Sequence, residues 1–353
     1  MFDRLLSSPE FRDRYFALIR DRVPDERARH QQALRAVESD ERFVDLLYEC
    51  FLGRSADSGG RQHYLDALGR EIRINVLTAI LDSAEFDFRY VQLAPFVPRD
   101  VQLCELANPA KWDNPEWMAL FRDLRILPPE KPDMHRKGYE LTQLLFGLHR
   151  LGRLRDDTAV ISVGAGHECV LYWLANHVGR VIATDMYDEQ WNASRGKEGD
   201  ARVLANGAIY APFPYREDRL AFFRMDGRRL AFADATFDVA YSLSSIEHFG
   251  GFDGAVAALD EMTRIVKPGG IVVVATEYRL SGPSLAEVFE PAEIRRLFGR
   301  PRLRLVEPID ENVYRRYRYM PIDLIRLPYQ TPHLVVKVDE TVLTSVIGFL
   351  EKR

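Results

Sequence analysis

Residues 163–168 read Val163-Gly164-Ala165-Gly166-His167-Glu168, after the apolar run Ala159-Val160-Ile161 and before the apolar, helically spaced stretch Leu171–Leu174. The order is strand, glycine turn, helix, and it decides the fold class. It is half of a nucleotide-binding fingerprint: Gly164 and Gly166 are present, but Cys169 stands where a third glycine often falls, with Glu168 before it. A second strand, Arg180–Asp185, follows and ends in Asp185, 19 residues after Gly166. In doubly wound folds an acidic residue at that place accepts hydrogen bonds from a ribose diol. A carboxylate can take both hydroxyl donors. A glycine turn by itself also serves close packing of a helix on a sheet; Asp185 moves the reading to a nucleoside site.

The pattern from about residue 158 alternates strands with helices, which predicts a mostly parallel sheet covered on both faces. Glu168 bears on the nucleoside. A dinucleotide site holds a pyrophosphate on backbone N–H groups at the helix start, and a carboxylate there would repel it. A cofactor without phosphate and with a sulfonium centre, such as S-adenosylmethionine, tolerates it. Alternatively Glu168 points outward and favours the helix dipole.

Further along, a strand ends at Met225-Asp226, Phe237-Asp238 leads into Val239–Ser245, Ile246-Glu247-His248 follows, and Lys267-Pro268-Gly269-Gly270 turns into another strand. With the glycine turn and Asp185, this set resembles the class I S-adenosylmethionine-dependent methyltransferases over roughly residues 135–310. Ser162 and the Glu168-Cys169 pair depart from the family pattern. The resemblance implies a Rossmann-like, doubly wound, mostly parallel seven-stranded sheet. It also implies that Gly164, Ala165 and Gly166 let backbone approach the cofactor and that Asp185 holds the ribose. Asp226 would accept from the adenine amino group with Met225 against the ring, and Ser242 and Ser244 would line the methionine end. The helix before the first strand, 135–145, would cover the cofactor; Arg136 or Lys137 could meet its carboxylate and Tyr139 could stack. A basic, solvated helix start explains the two cations equally well.

Glu247 and His248 stand where the methyl group should point. Methyl transfer is an in-line displacement, so alignment supplies most of the catalysis. A base is needed only for a hydroxyl or a protonated amine. His248 fits that role through its ordinary pKa, and Glu247 accompanies it; a loop-structuring role is the alternative. No spacing of a known metal site is present, and none is expected.

Residues 1–92 read as a separate all-helical domain. Residues 5–15 and 80–90 share six of eleven positions, with Ser8 and Ser83 as helix caps. Between them Phe43, Leu46, Leu47, Phe51 and Leu52 form an apolar stripe; Gly53 is expected to stop that helix and Ser58-Gly59-Gly60 to form a turn. The F-V-x-x-L-Y start, the L-G-R-x-x-D-x-x-G turn, Tyr64 and the closing S-x-E-F resemble a bacterial domain of unknown function related to phycobilisome linkers. That resemblance implies docking or assembly and no chemistry. Residues 93–134 read as a linker and helical connection, and 135–353 as the methyltransferase-like domain.

The long connection 186–221, rich in aromatics, suits either a lid or an insertion on the sheet edge. Leu303–Ile309 is expected to be a sixth strand and His333–Val338 the last, followed by an amphipathic terminal segment. A net charge of −5 gives no general attraction to nucleic acid. The three cysteines, odd in number and far apart, fit a reducing compartment. The charged start lacks a signal-peptide apolar region and no apolar run reaches membrane-spanning length, so a cytoplasmic location is expected. The function read from sequence is methyl transfer to a small-molecule or glycan acceptor. A non-catalytic interaction protein and an NAD-dependent oxidoreductase are the alternatives.

Overall fold

The computed structural model describes residues 39–52, 54–70, 73–81, 83, 101–108, 111–112, 114–125, 135–187, 199–311, 322–323, 334–338 and 341–353. The chain divides into two compact units: Met1–Pro98 with Arg315–Arg318, and Arg99–Tyr314 with Tyr319–Arg353.

The described part of the first unit is helical. Helix α1 (Asp40–Leu47) is capped by Ser39, whose Oγ accepts from the Arg42 N–H at 3.2 Å. Phe43, Val44, Leu46 and Leu47 are buried, as the apolar spacing requires, and a π-helical turn, Tyr48–Leu52, continues it. Helices α2 (Ser58–Leu68) and α3 (Arg73–Leu81) follow. Ser58-Gly59-Gly60 is therefore not a turn but the start of α2, with Asp57 as its cap accepting the Gly60 N–H at 2.8 Å. Packing gives the reason: a Cβ on Gly60 would sit 2.2 Å from the Tyr48 hydroxyl, so glycine lets α2 close on that ring. Residues 5–15 and 84–90, and hence the internal echo, lie outside the described residues, as do Gly53, expected to stop the first helix, and residues 93–100.

The second unit is built on one mixed sheet of ten strands among the described residues, not seven. Strands β2 (Ala159–Val163), β3 (Arg180–Asp185), β4 (Leu220–Arg224), β5 (Phe237–Leu243) and β6 (Val266–Ser281) form the parallel half, in spatial order β4-β3-β2-β5-β6. Strand β10 (Thr341–Lys352) runs antiparallel to β6 and also pairs with β1 (Glu105–Leu106), β7 (Leu303–Leu305) and β9 (Val335–Val338). Strand β8 (Ile322–Asp323) closes the edge beside β9.

The extra strands come from two places. The stretch read as connection contributes β1, which pairs Glu105 with Ile347, and helix α4 (Pro115–Asp123), whose Trp117 is fully buried. The expected terminal amphipathic segment is β10, buried at its first ten residues. Its apolar positions (342, 343, 346, 347, 349 and 350) mimic a helical period because both faces of this strand are covered.

Helices α5 (Arg136–Arg150) and α6 (Cys169–His177) cover one face of the sheet, with Val160, Val181, Val239 and Val273 pointing into that layer. Helices α7 (Gly251–Ile265) and α8 (Pro291–Phe298) cover the other, with Ile161, Val163, Ala240 and Val272 pointing into theirs. Two-sided burial is why the parallel strands read as continuous apolar runs.

Candidate functional site

Strand order reverses between β2 and β5, since β3 and β4 lie on one side of β2 and β5 and β6 on the other. In open α/β sheets ligands bind in the crevice outside the carboxyl ends at such a switch point. A cavity of about 310 Å³ lies there. It is lined by Gly164, Asp185, Met186, Met225, Asp226, Gly227, Arg228, His248, Phe249 and Gly250. Five of the residues singled out in the sequence thus come together: Gly164, Asp185, Met225, Asp226 and His248.

The glycine turn is shaped for approach. Gly164 has φ +76° and Gly166 φ +49°, and a Cβ on Gly164 would lie 2.5 Å from the Ser245 Cβ. Gly164 and Ala165 both donate their N–H to Thr184 O, and Ser245 Oγ donates to Gly164 O at 2.8 Å. Asp185 Oδ2 accepts the Gly166 N–H at 2.9 Å and Oδ1 the Tyr187 N–H at 3.3 Å. Each carboxylate oxygen carries a second lone pair, so acceptor capacity for a diol remains. Asp226 is held differently from expectation. Arg228 grips its carboxylate through Nε (3.0 and 3.2 Å) and Nη2 (2.7 Å), and this holds its pKa below the usual carboxylate range. Arg228 Nη1 also donates to Phe249 O at 3.2 Å, so this side chain runs along the cavity wall.

Other candidates are placed away from the cavity. Ser242 is fully buried in β5, with an Oγ that has no hydrogen-bond partner among the described residues. Tyr139 does not stack on an open site: its hydroxyl donates to Glu105, which is fully buried and ion-paired to Lys111 Nζ at 3.1 Å. Burial pushes the Glu105 carboxyl up to about 7 against the pull of Lys111. Gln143 joins this network, accepting from Trp117 Nε1 at 2.9 Å and donating to Gln102 O.

Arg136, Lys137 and Ser244 belong to a second polar cluster beside the cavity. Arg136 Nη1 meets Glu277 Oε1 at 2.5 Å and Glu140 Oε1 at 3.2 Å. Ser244 Oγ donates to Glu140 at 2.8 Å, and Ser345 bonds the same carboxylate. Lys137 Nζ donates to Leu243 O at 2.7 Å and pairs with Glu168 at 2.6 Å. The carboxylate in the glycine turn is therefore neutralised locally, and its repulsion of a pyrophosphate loses force. Glu247, just past β5 in a 3₁₀ turn (Ile246–His248), is fully buried and accepts from Thr276 Oγ1 at 2.9 Å. Burial, then the nearby Glu277 charge, pushes its carboxyl up to about 8. His248 Nδ1 lies 3.1 Å from Glu287 Oε1, an ion-pair distance when the ring is protonated.

Sequence reasoning missed Met186, Arg228 and Glu287. Met186 carried a signal: it follows the strand-end acid, and it lines the cavity at 47% exposure although it is apolar. The described part of the long connection, 199–219, packs on α6 and the β4 edge: Tyr172 donates to Gly207 O and Asn176 to Pro214 O. Its Tyr210 stacks on His167 of the glycine turn, with centroids 3.9 Å apart. Trp191 lies outside the described residues.

A parallel sheet with its crevice at the switch point, a positive-φ glycine turn and a strand-end aspartate define a nucleoside-binding α/β domain. Residues 161–274 match the family model described as a methyltransferase domain, and this region is a methyltransferase domain of the class I, S-adenosylmethionine-dependent type. Residues 28–90 match a domain of unknown function (DUF4214). Over 158 residues the chain is 27% identical to the ubiquinone/menaquinone biosynthesis C-methyltransferase UbiE of Ectopseudomonas mendocina, covering 41% of this chain and 54% of that protein. The chain thus spans about half the length of this curated relative. Among solved structures, the [4+2]-cyclase SpnF is similar at 15% identity and TM-score 0.36, covering 48% of this chain and 60% of that one. A SAM-dependent methyltransferase from Aquifex aeolicus is similar at 16% identity and TM-score 0.35, covering 72% and 98%. Likenesses of this size carry no argument about activity. Among the described residues, no helix is long and apolar enough to cross a membrane.

Proposed function

We propose that the α/β domain transfers a methyl group from S-adenosylmethionine to a small-molecule or glycan acceptor, and that the N-terminal region, 1–92, is an all-helical docking or assembly domain. The observation that carries the catalytic reading is the crevice cavity, which brings Gly164, Asp185, Met186, Met225 and Asp226 together at the carboxyl ends of the parallel strands. Its volume, about 310 Å³, lies at the lower end of the range for small-ligand pockets.

These residues fit the cofactor. When bound, it supplies an electrophilic methyl on a sulfonium. Asp185 offers acceptor capacity to two ribose hydroxyls. Met186 and Met225 offer apolar surface to the adenine ring, and Asp226 accepts its amino group once the Arg228 grip is shared or released. The Gly164–Gly166 turn gives backbone access that a Cβ would block. Arg136, Tyr139 and Ser242 take no direct part in this reading: the first is spent on Glu277 and Glu140, the second on Glu105, and the third is enclosed in β5. Ser244 and Lys137 act through the polar cluster at the methionine end. His248, on the cavity wall and 3.1 Å from Glu287, is the group suited to take a proton from an acceptor.

The test is calorimetric titration of the full chain with S-adenosylhomocysteine and, separately, NAD, repeated with Asp185→Asn. The reading expects binding of S-adenosylhomocysteine alone, weakened at least tenfold in the variant, since hydrogen bonds to a charged group contribute about 1.5–3 kcal/mol. Binding of NAD in its place would move the protein to the oxidoreductases, and binding of neither to the non-catalytic reading.

A further inference from the structure

Two turns from different strands line the crevice cavity, and one side chain ties them together. Asp226, Gly227 and Arg228 follow β4, while Phe249 and Gly250 follow β5. Arg228 holds the Asp226 carboxylate through Nε and Nη2 and donates from Nη1 to Phe249 O at 3.2 Å. Gly227 permits this closeness: a Cβ there would lie 2.6 Å from Phe249 Cε2 and 2.8 Å from Val163 Cγ1. Gly250, at φ +109°, brings the second turn beside the same guanidinium.

Stability does not account for the pair. The Arg228 and Asp226 side chains keep 50% and 38% exposure, and ion pairs this open contribute little to folding. Acceptor capacity gives a better account. Asp226 Oδ1 accepts the backbone N–H of Arg228 at 2.9 Å and its Nε at 3.0 Å, which fills both lone pairs. Oδ2 accepts Nη2 at 2.7 Å, and its contact with Nε, at 3.2 Å, is the longer half of a shared N–H. One lone pair on Oδ2 is left. Because Arg228 keeps the carboxylate ionised, that site accepts and cannot donate. It suits an amino group and repels a carbonyl oxygen. Without the guanidinium fork the half-open carboxylate is free to turn to water. A ligand that buried it against a neutral base would then desolvate an unpaired charge.

We propose that Arg228 is a positioning residue that makes the crevice select an aminopurine over an oxopurine, by fixing Asp226 as a carboxylate with one acceptor site toward the base. This rests on the methyltransferase reading, in which the base is the adenine of S-adenosylmethionine, and adds the residue that sets its selectivity.

The test is calorimetric titration of the full chain with S-adenosylhomocysteine and with its 6-oxo analogue, S-inosylhomocysteine. The wild-type chain should prefer the adenosyl ligand at least about tenfold, the scale of one hydrogen bond to a charged group. Arg228→Gln should weaken S-adenosylhomocysteine and lower the preference at least about fivefold, a ratio that loss of general stability would not move. Asp226→Asn should lower it as far, since an amide can accept from the amino group or donate to the oxo group. A wild-type preference under tenfold, or a preference that falls less than fivefold in either variant, overturns the proposal and leaves the methyltransferase reading standing. If Arg228→Gln does not fold, Arg228→Lys, which keeps the charge and loses the fork, decides in its place by the same criterion. If S-adenosylhomocysteine does not bind the wild-type chain at all, the methyltransferase reading fails first and this proposal falls with it.

Discussion

Replacing Glu247 by glutamine removes one titration from the protein interior and should make the larger unit more stable at alkaline pH. The sign follows from the folded carboxyl standing at about 8 against an ordinary 4.5. A raised carboxyl stabilises the fold as its protonated form, so its contribution is complete below the unfolded pKa and is lost as pH rises through the folded one. The gap between 4.5 and about 8, at roughly 1.4 kcal/mol per tenfold step, makes about 5 kcal/mol. Glu277 is also raised by burial and titrates with it, so the loss belongs to the pair and not to Glu247 alone. The four tryptophans (Trp112, Trp117, Trp173 and Trp191) all lie in the larger unit, so their fluorescence reports its unfolding alone. In urea, with a slope of about 2–3 kcal/mol per molar, the wild-type midpoint should fall relative to Glu247→Gln by roughly 1–2 M between pH 5 and pH 9. Below pH 5 the two proteins should converge. Parallel pH profiles across that range would refute the reasoning, because they would mean Glu247 ionises in the fold as readily as in the unfolded chain.

Three further outcomes follow from particular contacts. Gly164→Ala places a side chain at φ +76° with its Cβ 2.5 Å from the Ser245 Cβ. Left-handed strain of about 1–2 kcal/mol and overpacking of about 1–3 kcal/mol should lower stability by about 2–5 kcal/mol, read as a urea midpoint. Met186→Ala should leave the midpoint unchanged, since the side chain is half exposed, yet weaken S-adenosylhomocysteine about five- to tenfold by calorimetry through lost packing. Lys111→Met strands the Glu105 carboxylate, with both side chains almost fully buried, and should cost about 3–5 kcal/mol above pH 7. Because the folded Glu105 carboxyl stands at about 7 and rises further without the cation, that loss should shrink at pH 5, where the group is protonated; an equal loss at both pH values counts against the assignment.

The parallel half of the sheet was legible because local chemistry wrote it. Gly164 and Gly166 need their positive φ whatever surrounds them, and the strand-end position of Asp185 follows from the lengths of one strand, one turn and one helix. The middle residues of β2, β3 and β5 are mostly apolar because both faces are covered. The same two-sided burial hid β10, whose apolar spacing imitates a helix until its pairing with β6, β7 and β9 is known. Strand β1 was hidden for another reason: two residues carry no period, and only their pairing to β10 across more than 200 residues of chain makes them a strand.

The sequence by itself determined the glycine turn, the acid at the end of the next strand and the alternation of strands with helices, because each depends on residues a few positions apart. Tertiary structure alone decided which polar side chains meet. Tyr139 turned to Glu105, Lys137 to Glu168, and Glu247 to Thr276. Those pairings depend on long side chains reaching across elements far apart in the chain, where burial and the local field, not spacing, choose the partner.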